Sequence, residues 1–193
     1  MTNRREFLQS AAVLSAAPLA GRAAFAKGHP SATLDGVILD ERHAAAREFG
    51  AHAALLGART FSIEGDITDL WQNELLKRWR SAPGAIAGLT ERPALFLLER
   101  LGWEPGLRVV FEAEHEPLKR GAAIHRIVRT ADPHLHDELY AAGSSWPRAL
   151  ADALVTGTSV PARDFRPTDS GMATRLDEPT KLYSWIIAPR SAV

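Results

Sequence analysis

The chain contains no cysteine. Disulfide frameworks, iron–sulfur clusters, thiolate zinc sites, c-type haem attachment and cysteine nucleophiles are excluded together. It also lacks a surplus of charge of either sign, since 23 Lys+Arg face 23 Asp+Glu. That balance gives no drive toward nucleic acid or an anionic membrane, and no nucleic-acid partner is expected. No G-x-x-x-x-G-K-[ST] loop is present, which argues against P-loop nucleotide hydrolysis. No G-x-S-x-G elbow is present either, and Gly143-Ser144-Ser145 does not supply one. The first apolar run is followed by Asp40-Glu41-Arg42-His43 rather than G-x-G-x-x-G, so a tightly held NAD is disfavoured. What is there is ordinary for a soluble globular protein: 193 residues, 46% hydrophobic and 24% charged. A single folded domain is expected at this length.

The amino terminus reads as an address. Arg4 and Arg5 precede a short Ala- and Leu-rich stretch, Ser10 to Ala20, and the segment closes at Ala24-Phe25-Ala26. A basic start, an apolar middle and an A-x-A end describe a secretory signal peptide. The middle is too short and too Ala-rich to span a hydrocarbon core of roughly 30 Å. Arg4-Arg5-Glu6-Phe7-Leu8 resembles the twin-arginine (Tat) motif of bacterial signal peptides, S/T-R-R-x-F-L-K. The arginine pair, Phe7 and Leu8 match, while Asn3 and Gln9 depart from the pattern. The resemblance implies export of the folded chain by the Tat translocase, cleavage after Ala26 and a periplasmic location. No membrane anchor is expected after cleavage.

The expected organisation is a signal peptide over 1–26, a linker over 27–34 and one α/β domain over 35–193. Gly36-Val37-Ile38-Leu39 and Ala85-Ile86-Ala87-Gly88-Leu89 are continuous apolar runs, as in strands covered on both faces. Thr60 to Ile63 alternates, and Leu107 to Phe111 has the highest β-propensity. Between these four runs lie helical patterns: Ala-rich Arg42 to Leu56, a stretch where Trp71, Leu75 and Trp79 recur every four residues, and Glu91 to Leu101. Strand–helix alternation predicts a Rossmann-like, doubly wound, mostly parallel sheet. His115 to Gly121 reads as a polar loop, and Ile124 to Val128 as a strand antiparallel to its predecessor. Trp146 to Val155 suits a helix, 157–181 is a long irregular segment, and Leu182 to Ile187 is expected at a sheet edge.

Two groups carry candidate chemistry. If the first four strands are parallel, Asp40, Asp66, Thr90 and His115 fall at their carboxyl ends, where open α/β sheets bind ligands. Such a set suits a metal or a small polar ligand, although Asp66 and Thr90 also stand where helix N-caps are needed. The second group is histidine-rich. On an extended chain His134 and His136 would share a face, with His125 or His115 and Asp132 completing a set for a divalent metal. The Glu112, Glu114 and Glu116 spacing puts these carboxylates on one strand face, with His115 opposite. Trp71 and Trp79 read as core, and Trp185 as a surface or interface residue. The expected function is that of an exported, non-catalytic ligand-binding or accessory protein, serving a periplasmic partner such as a redox enzyme. The alternative is a metal-dependent hydrolase built on the histidines.

Overall fold

The computed structural model describes residues 34–129, 134–157 and 180–189. The signal segment 1–26, nearly all of the 27–34 linker, Asp132 and most of 157–181 lie outside them. The strands are β1 (Leu34–Asp40), β2 (Thr60–Ile63), β3 (Ala85–Thr90), β4 (Leu107–Pro117), β5 (Ala123–Arg129) and β6 (Leu182–Pro189). The longer helices are α1 (Ala44–Leu55), α4 (Arg92–Gly102), α5 (Leu135–Ala142) and α6 (Trp146–Thr156). Between β2 and β3, α2 (Thr68–Leu70) passes through a π-helical turn, Trp71–Leu75, into α3 (Leu76–Ser81).

All six strands form one mixed sheet in the order β2-β1-β3-β6-β4-β5. β2, β1 and β3 pair in parallel, and β6 is antiparallel to both β3 and β4. β4 therefore runs with the first three strands, and β5 pairs antiparallel with β4, as expected. β6 does not stand at an edge: it is inserted between β3 and β4. Its burial accounts for this, because Ser184 through Ala188 are all buried, which only a strand covered on both faces allows. Trp185 is correspondingly a core residue, fully buried, and its ring lies over Gly88 of β3, where any Cβ would collide with it.

Helices cover both faces. On one face, Phe49 and Ala53 of α1, Leu139 of α5 and Leu150 of α6 pack on Leu39, Leu89, Phe111 and Ile186. On the other, Leu75, Trp79 and Leu98 pack on Ile38, Ile86, Trp185 and Ile187. Trp71 is half-buried and meets Trp79 edge to face, with ring centroids 5.8 Å apart.

β4 continues well past Phe111, so the expected loop at His115 is strand as far as Pro117. The strand absorbs one extra residue: Val109 pairs with Ile187 and Phe111 with Ile186, leaving Val110 as a bulge. Val109 consequently packs on the Trp185 face and Phe111 on the opposite face. The three glutamates do share a side, each paired with a cation: Glu112 with Arg92, Glu114 with Arg126 and Glu116 with Lys181.

Candidate functional site

β1 and β3 are register neighbours, with Leu39 opposite Leu89, so the residues leaving their carboxyl ends meet at one edge. Asp40 is fully buried there. Its carboxylate is held at both oxygens by Arg42: Nε donates to Oδ1 at 2.9 Å and Nη2 to Oδ2 at 2.7 Å. The backbone N–H of Arg42 adds a donor to Oδ1 at 3.3 Å. Arg42 Nη2 also lies 2.8 Å from Glu91 Oε1, at the residue that precedes α4. His43 Nε2 stands 2.9 Å from the same Glu91 oxygen and 3.9 Å from Asp40 Oδ2. The local sequence builds this turn because Asp-x-Arg lets the side chain fold back onto the strand end, and the Asp40 carbonyl accepts from His43 N–H at 3.1 Å.

Burial alone would raise the Asp40 carboxyl, but the Arg42 side-chain and backbone hydrogen bonds, with the Arg42 and His43 charges, hold it below its ordinary value. The hydrogen bond to Asp40 is likewise the main reason why Arg42 is raised, against the desolvation that opposes it. The Arg42 side chain nonetheless stays 43% exposed. Its guanidinium lies against Gly65, in the turn after β2, where a Cβ would come within 2.5 Å of Arg42 Cζ. Gly65 also has a φ of +86°, a conformation that suits glycine.

The other residues expected at this edge behave differently. Thr90 is fully buried and already engaged, accepting from Trp185 Nε1–H at 3.1 Å and donating to the Glu91 carbonyl at 3.1 Å. Asp66 is exposed and closes the turn that leads into α2, accepting from the Thr68 N–H at 2.9 Å and the Thr68 hydroxyl at 2.7 Å. Those two bonds lower its carboxyl pKa.

His115 sits two strands away from β3, on the face of the sheet that carries α5 and α6. There His115 Nδ1 and His125 Nδ1 are 2.8 Å apart, one donating to the other, and His115 Nε2 lies 2.7 Å from Ser184 Oγ. Trp146 of α6 stacks on His115 with centroids 4.5 Å apart. All three polar residues are buried. His134 and His136 do not join them in an extended segment: His134 precedes α5 and His136 lies in its first turn, both exposed. Two positions along a helix are about 200° apart, so the shared face expected of a strand is lost. His136 pairs instead with Asp137 at 3.2 Å.

Among the described residues, the group that could hold a metal ion is Asp40, His43 and Glu91, whose donor atoms lie within 4.8 Å of one another. Sequence reading reached Asp40 but missed Arg42, His43 and Glu91. Their signal was the polar quartet Asp40-Glu41-Arg42-His43 closing a wholly apolar strand, together with an acid directly after Thr90. Comparisons with protein-family models, curated proteins and solved structures find no match to this chain.

Proposed function

We propose that this is an exported α/β binding protein that takes up a small polar ligand at the carboxyl edge between β1 and β3. In this reading the sheet is a Rossmann-like, doubly wound arrangement. The support is that α1, following β1, packs on one face while α4, following β3, packs on the other. Adjacent strands whose connections diverge in this way open the crevice where α/β proteins bind ligands. The observation that carries the proposal is the Arg42 guanidinium, fixed at that crevice by a buried Asp40 while much of its side chain stays exposed. A pre-fixed guanidinium suits a ligand with carboxylate, phosphate or hydroxyl oxygens.

An accessory rather than catalytic role fits the inventory of groups around the crevice. The neighbouring hydroxyl, Thr90, is committed to Trp185 and Glu91. The hydrolase alternative has less support, since His134 and His136 occupy a helix start rather than one face of a strand. The export reading rests on the Tat-like segment 1–26, with the Tat translocase as a transient partner and the periplasm as destination. A periplasmic partner, such as a redox enzyme, completes this reading. Among the described residues no helix is long and apolar enough to cross a membrane.

Native mass spectrometry of protein recovered after export by its own leader tests both halves. The expected species begins at Lys27 and carries a small adduct, which weakens in Arg42→Lys because the ammonium keeps the charge but not the two-pronged grip. Protein retaining residues 1–26 would overturn the export reading. A bare mass, or an adduct indifferent to Arg42→Lys, would overturn the site.

A further inference from the structure

Resting on that site reading, we infer that Asp40, His43 and Glu91 form a site for a divalent transition-metal ion, and that Arg42 is the built-in cation such an ion displaces. Arg42 Nη2 lies 2.7 Å from Asp40 Oδ2 and 2.8 Å from Glu91 Oε1, so the space between the two carboxylates already holds a positive group. His43 Nε2 approaches the same Glu91 oxygen from the side, at 2.9 Å. With His43 counted as a ligand rather than as a charge, two carboxylates against one guanidinium leave one negative charge unmatched. Exchange of the guanidinium for a doubly charged ion neutralises the group, with the imidazole as third ligand.

The donor set selects the ion. Two oxygens and one imidazole nitrogen suit zinc and its neighbours. Calcium needs six to eight oxygens, and copper(I) prefers sulfur ligands that this chain cannot supply from cysteine. Asp40 is anchored on a central strand, whereas Arg42 has a flexible stem, a side chain 43% exposed and a guanidinium beside Gly65. Arg42 is therefore the member of the cluster that can leave.

This mechanism makes an unusual demand: removing a residue from the site must tighten binding. Isothermal titration of the purified protein with zinc alone, at neutral pH, reads it directly. The wild type is expected to bind one ion per chain, and Arg42→Ala to bind it at least about tenfold more tightly, a free-energy change of roughly 1.4 kcal/mol. Should the lone buried carboxylate prevent Arg42→Ala from folding, Gly65→Ala gives the same reading. Its Cβ displaces the guanidinium without removing any charge, at the cost of backbone strain at a φ of +86°, and tighter binding is again expected. His43→Ala should abolish binding in either background. Unchanged or weaker affinity in whichever of these variants folds overturns the inference, as does zinc binding that survives His43→Ala. Failure here leaves the small-ligand reading standing, since that reading predicts weaker binding when Arg42 is altered. Tight zinc binding with no native adduct would do the opposite, upholding the metal site and removing the small ligand.

Discussion

His115 and His125 illustrate how far one side chain's environment can move its chemistry. Burial, then the neighbouring His125, pushes His115 well below the usual histidine value. Burial, then the charge of His136, takes His125 down to about 4. Among the described residues no acid offsets this: His115 meets Ser184 of β6 and Trp146 of α6, and His136 of α5 is the titratable group acting on His125. An unfolded chain takes up these protons near pH 6.5. Below that pH the unfolded state binds more protons than the folded one, so stability is full above about 6.5 and falls as pH drops toward about 4. Urea unfolding across this range should show the loss, and His125→Gln should lessen it, leaving the part that His115 contributes. A wild-type midpoint that stays level from pH 7 to 4.5 would refute the assignment. Within the same chain of bonds, Ser184→Ala leaves the buried His115 Nε2 without its hydroxyl partner. The expected cost is about 1–3 kcal/mol, read from the same urea curves.

At the scale of elements, β4 explains both what was legible and what was not. The alternation Leu107, Val109, Phe111, Ala113 reads as one buried face, and every one of these residues is indeed buried. They bury on opposite faces because the bulge at Val110 resets the alternation. Nothing in the local pattern marks that bulge. The tertiary structure does, since Arg129 of β5 donates to the Val109 carbonyl beside it. Deleting Val110 would therefore leave Leu107 and Val109 facing the Trp185 core and Phe111 facing α6. We expect that variant to fold with a loss of only about 1–2 kcal/mol, the burial of one half-exposed side chain. Deleting Glu112 instead forces either Phe111 or Ala113 and the residues beyond it onto the wrong face, and should abolish the cooperative thermal transition followed by circular dichroism. Equal behaviour of the two deletions would show that register is not what holds β4. The same distinction runs through the site. β1, β3 and α4 were readable from apolar runs and from Pro93, which stands in the first turn of α4. The contact between Asp40 and Glu91, about fifty residues apart, depends on strand order, which periodicity does not encode.

For the whole molecule the decisive feature is that the last of the described strands is an inner strand in space. β6 is the link between the parallel unit β2-β1-β3 and the antiparallel pair β4-β5. Trp185-Ile186-Ile187 is as continuously apolar as the runs in β1 and β3, the pattern of a strand covered on both faces, against the edge position expected of it. Without β6, the wholly buried β3 would present an open ladder, and Trp185, Ile186 and Ile187 would vanish from the two cores. Each such side chain contributes about 1.5–3 kcal/mol on burial, against a total stability of about 5–15 kcal/mol for a domain. A chain stopped after Gly157 is thus expected to show no cooperative unfolding transition. The order of synthesis makes this matter for export. The sheet cannot close until β6, made after all the other described strands, has left the ribosome. The export route proposed above, which carries finished proteins, matches such a chain. On the proposed export reading, a chain running from Met1 to Gly157 should remain unprocessed inside the cell, while the 193-residue chain appears outside the inner membrane with residues 1–26 removed. Efficient export of the shortened chain would mean that the route does not depend on this fold being complete.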